Sequence, residues 1–450
     1  MFRWIDCVYL GGLALSSPYW LVSRQARAKV LSAFRERIPP AAAPAGDDPP
    51  AGDPCGGILI HAVSLGEINA TRSLVAELRC RRNDLPVVVS ATTAAGFDRA
   101  RALYASPPQP NLHVARFPLD FSWAVTRFLR RYRPQVVVLM ELELWPNFLH
   151  ACDELGIPVV LVNGRLTEHS LRRYRCIAPV ARRMLRRVHL LCVQDETYRR
   201  RFIEAGAPAD RVLVTGSMKF DTAQLTVADD DLQRFQREIS LSPHPAPPSP
   251  LWVCGSTGPG EEDACLNAFL RLRPRHPTLR LAIVPRKPER FDEVARLIEQ
   301  RTGYLPVRRS ARTPGPDDRV LLGDTLGELR LFYAAADVVF VGRSLVDLGP
   351  KQHGSDMLEA AALGKPVIVG PFTGNFADAM QRLRDADAVV EVASADELHD
   401  RVLDLLDHPD QAAAMGTRAA DAVRRGQGAT ALHADHILRC VAPGPPTPTH

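Results

Sequence analysis

The stretch GILIHAVSLGEINA, residues 57–70, decides how this chain folds. Its first half is apolar at almost every position, with Ile58, Leu59, Ile60, Ala62 and Val63 broken only by His61. A strand wetted on one face would alternate apolar with polar residues. A near-continuous run is therefore expected in a parallel sheet covered on both faces. Ser64, Gly66 and Glu67 then stand where the next helix begins. Glycine permits a tight entry to the helix, and a carboxylate there favours the positive end of the helix dipole whether or not it has a chemical role.

The same theme, a short apolar run followed by a helical pattern, recurs in PVVVSATT, LHVARFPLD, QVVVLMELE, PVVLVNGR, LLCVQDE and RVLVTGSM. These runs predict one doubly wound α/β domain over residues 39–222. Residues 223–250 read as a linker because LSPHPAPPSP (241–250) is rich in Pro and Ser. The acidic run Asp229–Asp231 within it is better explained as helix N-terminal charge than as a metal cluster. The theme resumes in LWVCGST, LRLAIVPR, RVLLGDT, DVVFVGRS, KPVIVGPF and AVVEV, which predicts a second doubly wound domain over 251–440. Residues 441–450, rich in proline, are expected to be disordered.

Composition narrows the class. The chain has 450 residues, 46% hydrophobic and 24% charged, too long for one ordinary core and too apolar for extensive disorder. A formal net charge of +5 is mild for this length and gives no reason to expect a nucleic-acid partner. The 9 cysteines are scattered without a C-x-x-C pair, so a reducing compartment and no structural metal are expected. At the N-terminus, residues 1–38 combine an apolar stretch from Trp4 to Val22, interrupted by Asp6, Ser16, Ser17 and Pro18, with Arg24, Arg27, Lys29, Arg35 and Arg37 behind it. That order of charge does not suit a secretory signal. A monotopic surface anchor, a short or tilted transmembrane helix and an ordinary buried helix all remain open, the first two facing anionic lipid with the basic block.

Every distinctive polar cluster falls at the end of a predicted strand. In the first domain these are SLGE (64–67), ELELWPN (141–147), NGRLTEHS (163–170) and GSMKFD (216–221). In the second they are GSTGPGEE (255–262), PRKPERF (285–291), GDTLGEL (323–329) and the long segment that contains HGSDMLE (353–359). Ligands of such sheets bind outside the strand C-termini, so a cleft between two domains of this kind is the expected site. The layout suits a GT-B glycosyltransferase, with acceptor and donor held by different domains.

Taken together, these motifs resemble the 3-deoxy-D-manno-octulosonate (Kdo) transferases, over nearly the whole chain and in that family's order. The resemblance implies a membrane-associated inverting enzyme at the cytoplasmic face of the bacterial inner membrane. It would move Kdo from CMP-Kdo to a lipid A precursor, using no cofactor or bound metal. It further implies that Glu67 is the base that takes the acceptor hydroxyl proton, and that Glu141 and Lys219 stabilise the transition state. Strand alternation would turn Glu141 and Glu143 to one side, and for Glu143 a structural pairing with a nearby arginine is equally acceptable. For the donor, the resemblance implies nucleotide contacts from Pro285, Arg286, Leu326, Gly327 and Glu328, and from the segment Asp356, Met357, Leu358 and Glu359, with Glu359 on the ribose hydroxyls.

The chain departs from that family where Gly258 and Lys287 replace the usual histidines, and where HGSDMLE stands for GGHNPLE with extra residues upstream. The stretch Leu171 to Val188 holds 7 arginines and reads either as a solvated basic helix or as a face for lipid phosphates or anionic membrane lipid. Another GT-B transferase or epimerase using a UDP-sugar, and a catalytically silent membrane-docking protein, are the competing classes.

Overall fold

The computed structural model describes residues 4–22, 37–38, 56–105, 109–239, 249–311, 319–349 and 352–441. The basic residues Arg24, Arg27, Lys29 and Arg35, and the tail from 442, lie outside them. The chain divides into two units, one of Met1–Thr222 with Gln427–His450 and the other of Ala223–Gly426.

The first unit carries strands β1 (Ile58–Ala62), β2 (Val87–Ala91), β3 (Leu112–Arg116), β4 (Val136–Met140), β5 (Val159–Gly164), β6 (Leu190–Val193) and β7 (Val212–Val214). They form one sheet in the order β3-β2-β1-β4-β5-β6-β7, with every neighbouring pair parallel. Both faces of the sheet are covered, which is why the strand sequences read as unbroken apolar runs. Leu59, Val137 and Leu139 point into a core with Phe117, Phe148 and Phe202. Ile58, Ile60, Val136 and Val138 point the other way, into a core with Leu74, Leu78 and Met218.

The second unit repeats the plan with β8 (Leu251–Thr257), β9 (Arg280–Pro285), β10 (Val307–Arg308), β11 (Val320–Leu322), β12 (Val338–Val341), β13 (Val367–Val369) and β14 (Val390–Glu391). Their order is β10-β11-β9-β8-β12-β13-β14, again parallel throughout. Strand order reverses between β1 and β4 in one unit and between β8 and β12 in the other. At such a switch the connecting helices leave to opposite faces and open a crevice at the strand C-termini.

Two segments differ from the sequence expectation, and a third takes a form that the sequence leaves open. The proposed linker contains a helix, Asp229–Ile239, with the three aspartates in its first turn and Phe235 and Ile239 buried. The Phe235 ring meets that of Phe332 edge-on at 4.8 Å, so this helix is part of the second unit's core. The second domain, expected to reach residue 440, ends earlier: the last helix, Ala429–Arg439, packs on the helix Leu65–Arg81 of the first unit. Ala429, Ala434, Ile437 and Val441 join the core on that face of the first sheet.

The third is the N-terminal helix, Trp4–Val22, which is docked on the first unit by polar contacts. Asp6 is fully buried and accepts hydrogen bonds from Ser122 N (2.9 Å), Ser122 Oγ and Asn147 Nδ2 (2.9 Å). Tyr9 donates to Asp120 at 2.8 Å, and Asp120 in turn accepts from the N–H groups of Asn147 (3.1 Å) and Phe148 (2.8 Å). Among the described residues no helix is long and apolar enough to cross a membrane. Val8 and Leu15 remain 59% and 86% exposed, so the helix also presents an uncovered apolar face.

Candidate active site

The first unit gathers carboxylates at its switch point. Glu67 stands in the first turn of Leu65–Arg81, directly after β1, where it completes a capping box with Ser64. Ser64 Oγ accepts from Glu67 N at 3.3 Å, and Glu67 accepts from Val63 N (3.0 Å), Ser64 N (3.3 Å) and Ser64 Oγ (2.8 Å). An ionised carboxylate has about four acceptor positions, so three donors fix its orientation and leave room for one more hydroxyl. The helix-start role and an open position for a substrate proton therefore coexist in one side chain.

Glu141 and Glu143 come from the neighbouring strand, but not by alternation. β4 ends at Met140, and Glu141 adopts a left-handed φ of 54°, which bends the chain out of the sheet. Its N–H still donates to Val162 O at 3.0 Å, so β5 holds the bend in place. Residues with side chains pay to adopt this conformation, and it concentrates where a site requires it. Glu143 does not pair with an arginine among the described residues. Its pKa is pushed up to about 7, first by burial and then by the Glu67 charge, with the Trp145 N–H opposing and the Glu141 charge adding. Three carboxylates thus lie within electrostatic reach of one another, and the half-buried Glu143 is about half protonated at neutral pH.

Lys219 lies on the short helix Met218–Thr222, which follows the edge strand β7 and packs against the helix that Glu67 starts. Asn163 Oδ1, on β5, accepts from Met218 N at 3.2 Å and sets where that helix begins. Asp221 of the same motif accepts from Gly428 N and Thr430 N, at 2.6 Å each, and so anchors the last helix. Asn147 of ELELWPN likewise serves the fold through Asp6 and Asp120 rather than a substrate.

In the second unit the donor candidates separate into groups that are free to bind and groups that are occupied. Arg286 is exposed just past β9, and its N–H donates to Thr257 O at 3.1 Å. Pro285, Met357 and Leu358 are buried. Leu326 is 77% exposed and Gly327 has φ 86° with open space at its Cα, so the backbone there can be approached closely. Glu328, by contrast, already holds Arg309 through two oxygens at 2.7 and 3.1 Å, and Arg309 also reaches Glu238 on the Asp229–Ile239 helix at 2.5 Å. The side chain of Glu328 is structural in this arrangement.

Asp356 accepts from Leu358 N at 3.0 Å and fixes the entry to the helix Leu358–Ala362. Glu359 is pushed up to about 7 by burial and by Asp356, against the pull of Arg286 and Arg330. Arg286 and Glu359, from strands on opposite sides of β8, are therefore neighbours.

Two features here escaped the sequence reading. Glu261 is fully buried, and its carboxylate accepts from Gly258 N (2.8 Å), Arg343 N (2.6 Å), Ser344 N (2.8 Å) and Leu345 N (2.8 Å). It ties the turn after β8 to the turn after β12 across the switch point. Arg290 of PRKPERF pairs with the buried Glu262 at 2.6 Å, so that part of the motif is also structural. An acidic pair directly after a glycine turn was the available signal for both. A hollow of about 450 Å³ edged by Pro250, Arg280 and Asp337 lies at the opposite, N-terminal ends of these strands, away from the ligand-binding edge.

Comparison with known proteins places these features in a family. Residues 30–222 match the family described as 3-deoxy-D-manno-octulosonic-acid transferase (kdotransferase), and residues 263–422 match the group 1 glycosyl transferases. The chain is 38% identical over 379 residues to the 3-deoxy-D-manno-octulosonic acid transferase of Bordetella pertussis, covering 83% of this chain and 85% of that one. It is 33% identical over 374 residues to the enzyme of the same name from Haemophilus influenzae, covering 83% and 84%. Among solved structures, a UDP-GlcNAc 2-epimerase from Neisseria meningitidis superposes with a TM-score of 0.56 at 16% identity, over 85% of this chain and all of that one, which shows a shared GT-B-like fold. With two doubly wound units, strand-end motifs and relatives of this extent, the chain belongs to the Kdo transferase family of glycosyltransferases.

Proposed function

We propose that this enzyme moves Kdo from CMP-Kdo to a hydroxyl of a lipid A precursor in lipopolysaccharide synthesis, with inversion, and that Glu67 is the general base. The observation that supports this most is the carboxylate set at the first switch point, with Glu67 oriented by three donors and still able to accept. As the acceptor oxygen attacks the anomeric carbon, its proton becomes acidic and passes to Glu67, while the bond from that carbon to the phosphate oxygen breaks and CMP leaves. Glu143, half-buried and about half protonated, limits the negative charge around the base. Lys219 and Glu141 are proposed to stabilise the transition state, Lys219 by offsetting charge on the departing phosphate or the sugar carboxylate. Arg286, the backbone at Leu326 and Gly327, and Glu359 hold the nucleotide.

The reading extends to the membrane face of the bacterial cytoplasm. The exposed Val8 and Leu15 on a docked helix suit monotopic contact with lipid rather than a span. A hollow of about 600 Å³ lined by Arg182, Arg183, Arg186 and Arg187, the last paired with Asp153 at 3.3 Å, keeps a net positive lining that suits anionic headgroups or acceptor phosphates.

Transfer of labelled Kdo from CMP-Kdo to a defined tetra-acylated precursor tests the assignment. Glu67→Gln is expected to lower kcat by about two orders of magnitude or more, the usual weight of a general base, with CMP affinity unchanged. Unchanged turnover would remove Glu67 from that role, and transfer from a UDP-sugar instead of CMP-Kdo would overturn the donor. Undiminished transfer in excess EDTA is the expected result for a reaction that needs no metal.

A further inference from the structure

Arg343 stands two residues past the end of β12, the strand beside β8 where strand order reverses. Its φ is 59°, a left-handed conformation that glycine adopts freely and arginine does not. The buried Glu261 carboxylate holds it there, accepting from Arg343 N at 2.6 Å and from Gly258 N at 2.8 Å. The side chain passes over Gly258. A Cβ at residue 258 would stand 3.2 Å from Arg343 Cγ and 2.6 Å from Leu348 Cδ1, so the missing side chain there is what makes room for it.

The end of that side chain is not satisfied. Arg343 Nε is buried without a hydrogen-bond partner among the described residues. The nearest opposite charge, Glu261, spends its oxygens on four backbone N–H groups. Arg286 lies close enough that its charge, after burial, lowers the pKa of Arg343. Arg286 N donates to Thr257 O and Arg343 Cγ lies over Gly258, so the two cations flank one turn, neither in a salt bridge among the described residues, and a bound anion lowers their mutual repulsion. A strained backbone, a glycine that clears the path and an unpartnered nitrogen all serve the same placement.

We propose that Arg343 is a second anion-binding residue of the donor site, which acts with Arg286 on the negatively charged groups of the sugar nucleotide. The inference rests on the donor reading above. In CMP-Kdo the phosphate ester and the sugar carboxylate are attached to one carbon, so two adjacent guanidiniums face two adjacent anionic groups. Guanidinium forks suit both, through paired N–H donors.

The test compares the full-length protein with Arg343→Asn, because Asn tolerates left-handed φ and keeps the turn, and with Arg343→Lys. Titration calorimetry with CMP is expected to show affinity reduced about ten-fold or more in R343N and partly restored in R343K, the scale of one charge-assisted contact. Cytidine binding should stay within about two-fold, since it offers no anion. If the carboxylate is the group held, CMP affinity stays level and the KM for CMP-Kdo rises by a similar factor, which supports the site and names its source. Unchanged CMP affinity together with an unchanged KM overturns it. Failure of the donor reading shows separately, as a wild-type protein that binds CMP no better than cytidine. The arginine pair is then read with inorganic pyrophosphate: heat protection of the wild type that is lost in R343N supports anion binding, and equal protection of both overturns it.

Discussion

Glu359 carries a proton about half the time at neutral pH, since burial and Asp356 raise it to about 7 against Arg286 and Arg330. Ribose hydroxyls donate to the charged form, so a donor that uses Glu359 binds only after the proton has left. Binding should therefore strengthen as pH rises through 7. Between pH 6 and pH 8 the KM for CMP-Kdo is expected to fall by about ten-fold, the ratio of ionised fractions for a pKa of 7. CMP-Kdo is the useful probe because its phosphodiester does not titrate in that range, whereas CMP does. Glu359→Gln should give a weaker and flat profile. A wild-type KM that does not change with pH would take Glu359 off the ribose. Glu143 is raised to the same value in the other unit, and its neutral form spares Glu67 a second full charge nearby.

At the scale of elements, the N-terminal helix shows how a segment that reads as membrane-bound is held by polar groups. Asp6 is buried among donors from Ser122 and Asn147, and the geometry of the site depends on the acceptor being present. Asp6→Ala removes the acceptor of three hydrogen bonds and is expected to destabilise the first unit by about 3 kcal/mol, at about 1–3 kcal/mol for each buried bond to a charged group. Urea unfolding measures this, and faster proteolysis within residues 4–22 should accompany it. Equal stability and equal protection would show that the helix does not depend on Asp6. Nothing in the apolar run from Trp4 predicts that docking, because its partners at Asp120, Ser122 and Asn147 are brought up only by the fold.

The same reason separates the legible elements from the others. VVV runs such as those of β2 and β4 announce themselves, since both faces of each strand are buried. β10 has only two residues, Val307 and Arg308, at a sheet edge, too few to show a pattern. The start of the helix Asp229–Ile239 is legible in its three aspartates, whereas the Pro and Ser that follow obscure its place in the second unit, and only Phe235 and Ile239 mark its buried side. The Ala429–Arg439 helix carries nothing local that assigns it to the first unit; Asp221 and the core residues do that. Among site residues, Glu67 and Arg286 stand in recognisable motifs. The link from Gly258 to Arg343 joins two turns that are remote in sequence, and the left-handed φ that makes it possible leaves no mark on the residue type.

For the whole molecule, acid stability is set by buried groups that titrate in opposite senses. His61 and His433 are both fully buried and lowered from 6.5 to about 3, chiefly by burial. His61 lies against the Phe117 ring at 3.6 Å, and His433 brings the last helix to Thr215 Oγ1 at 2.8 Å, so neither has room for the water a cation needs. A lowered histidine pKa means that the unfolded chain takes the proton first, and stability is lost as pH falls below 6.5. Each histidine contributes about 1.4 kcal/mol of loss per pH unit.

Glu143 and Asp120 act in reverse. Their folded pKa values are about 7 and about 6, above the ordinary 4.5 and 3.8, chiefly because of burial. The folded state takes these protons first, and stability rises as pH falls through the raised values until the unfolded carboxylates also protonate. At about pH 5 the unfolded first unit binds two protons on its histidines, and the folded one binds two on these carboxylates, so the slopes cancel. The urea midpoint should accordingly be nearly level from about pH 6 to pH 5, then fall toward pH 3, by about 1.5 kcal/mol per unit from these four groups at the steepest point. His433→Asn should cut that lower slope by more than half, even if it costs stability at every pH. A decline that begins at pH 6.5 with the full two-proton slope would show that Glu143 and Asp120 are ionised in the folded protein, and would remove the neutral carboxylate from beside Glu67.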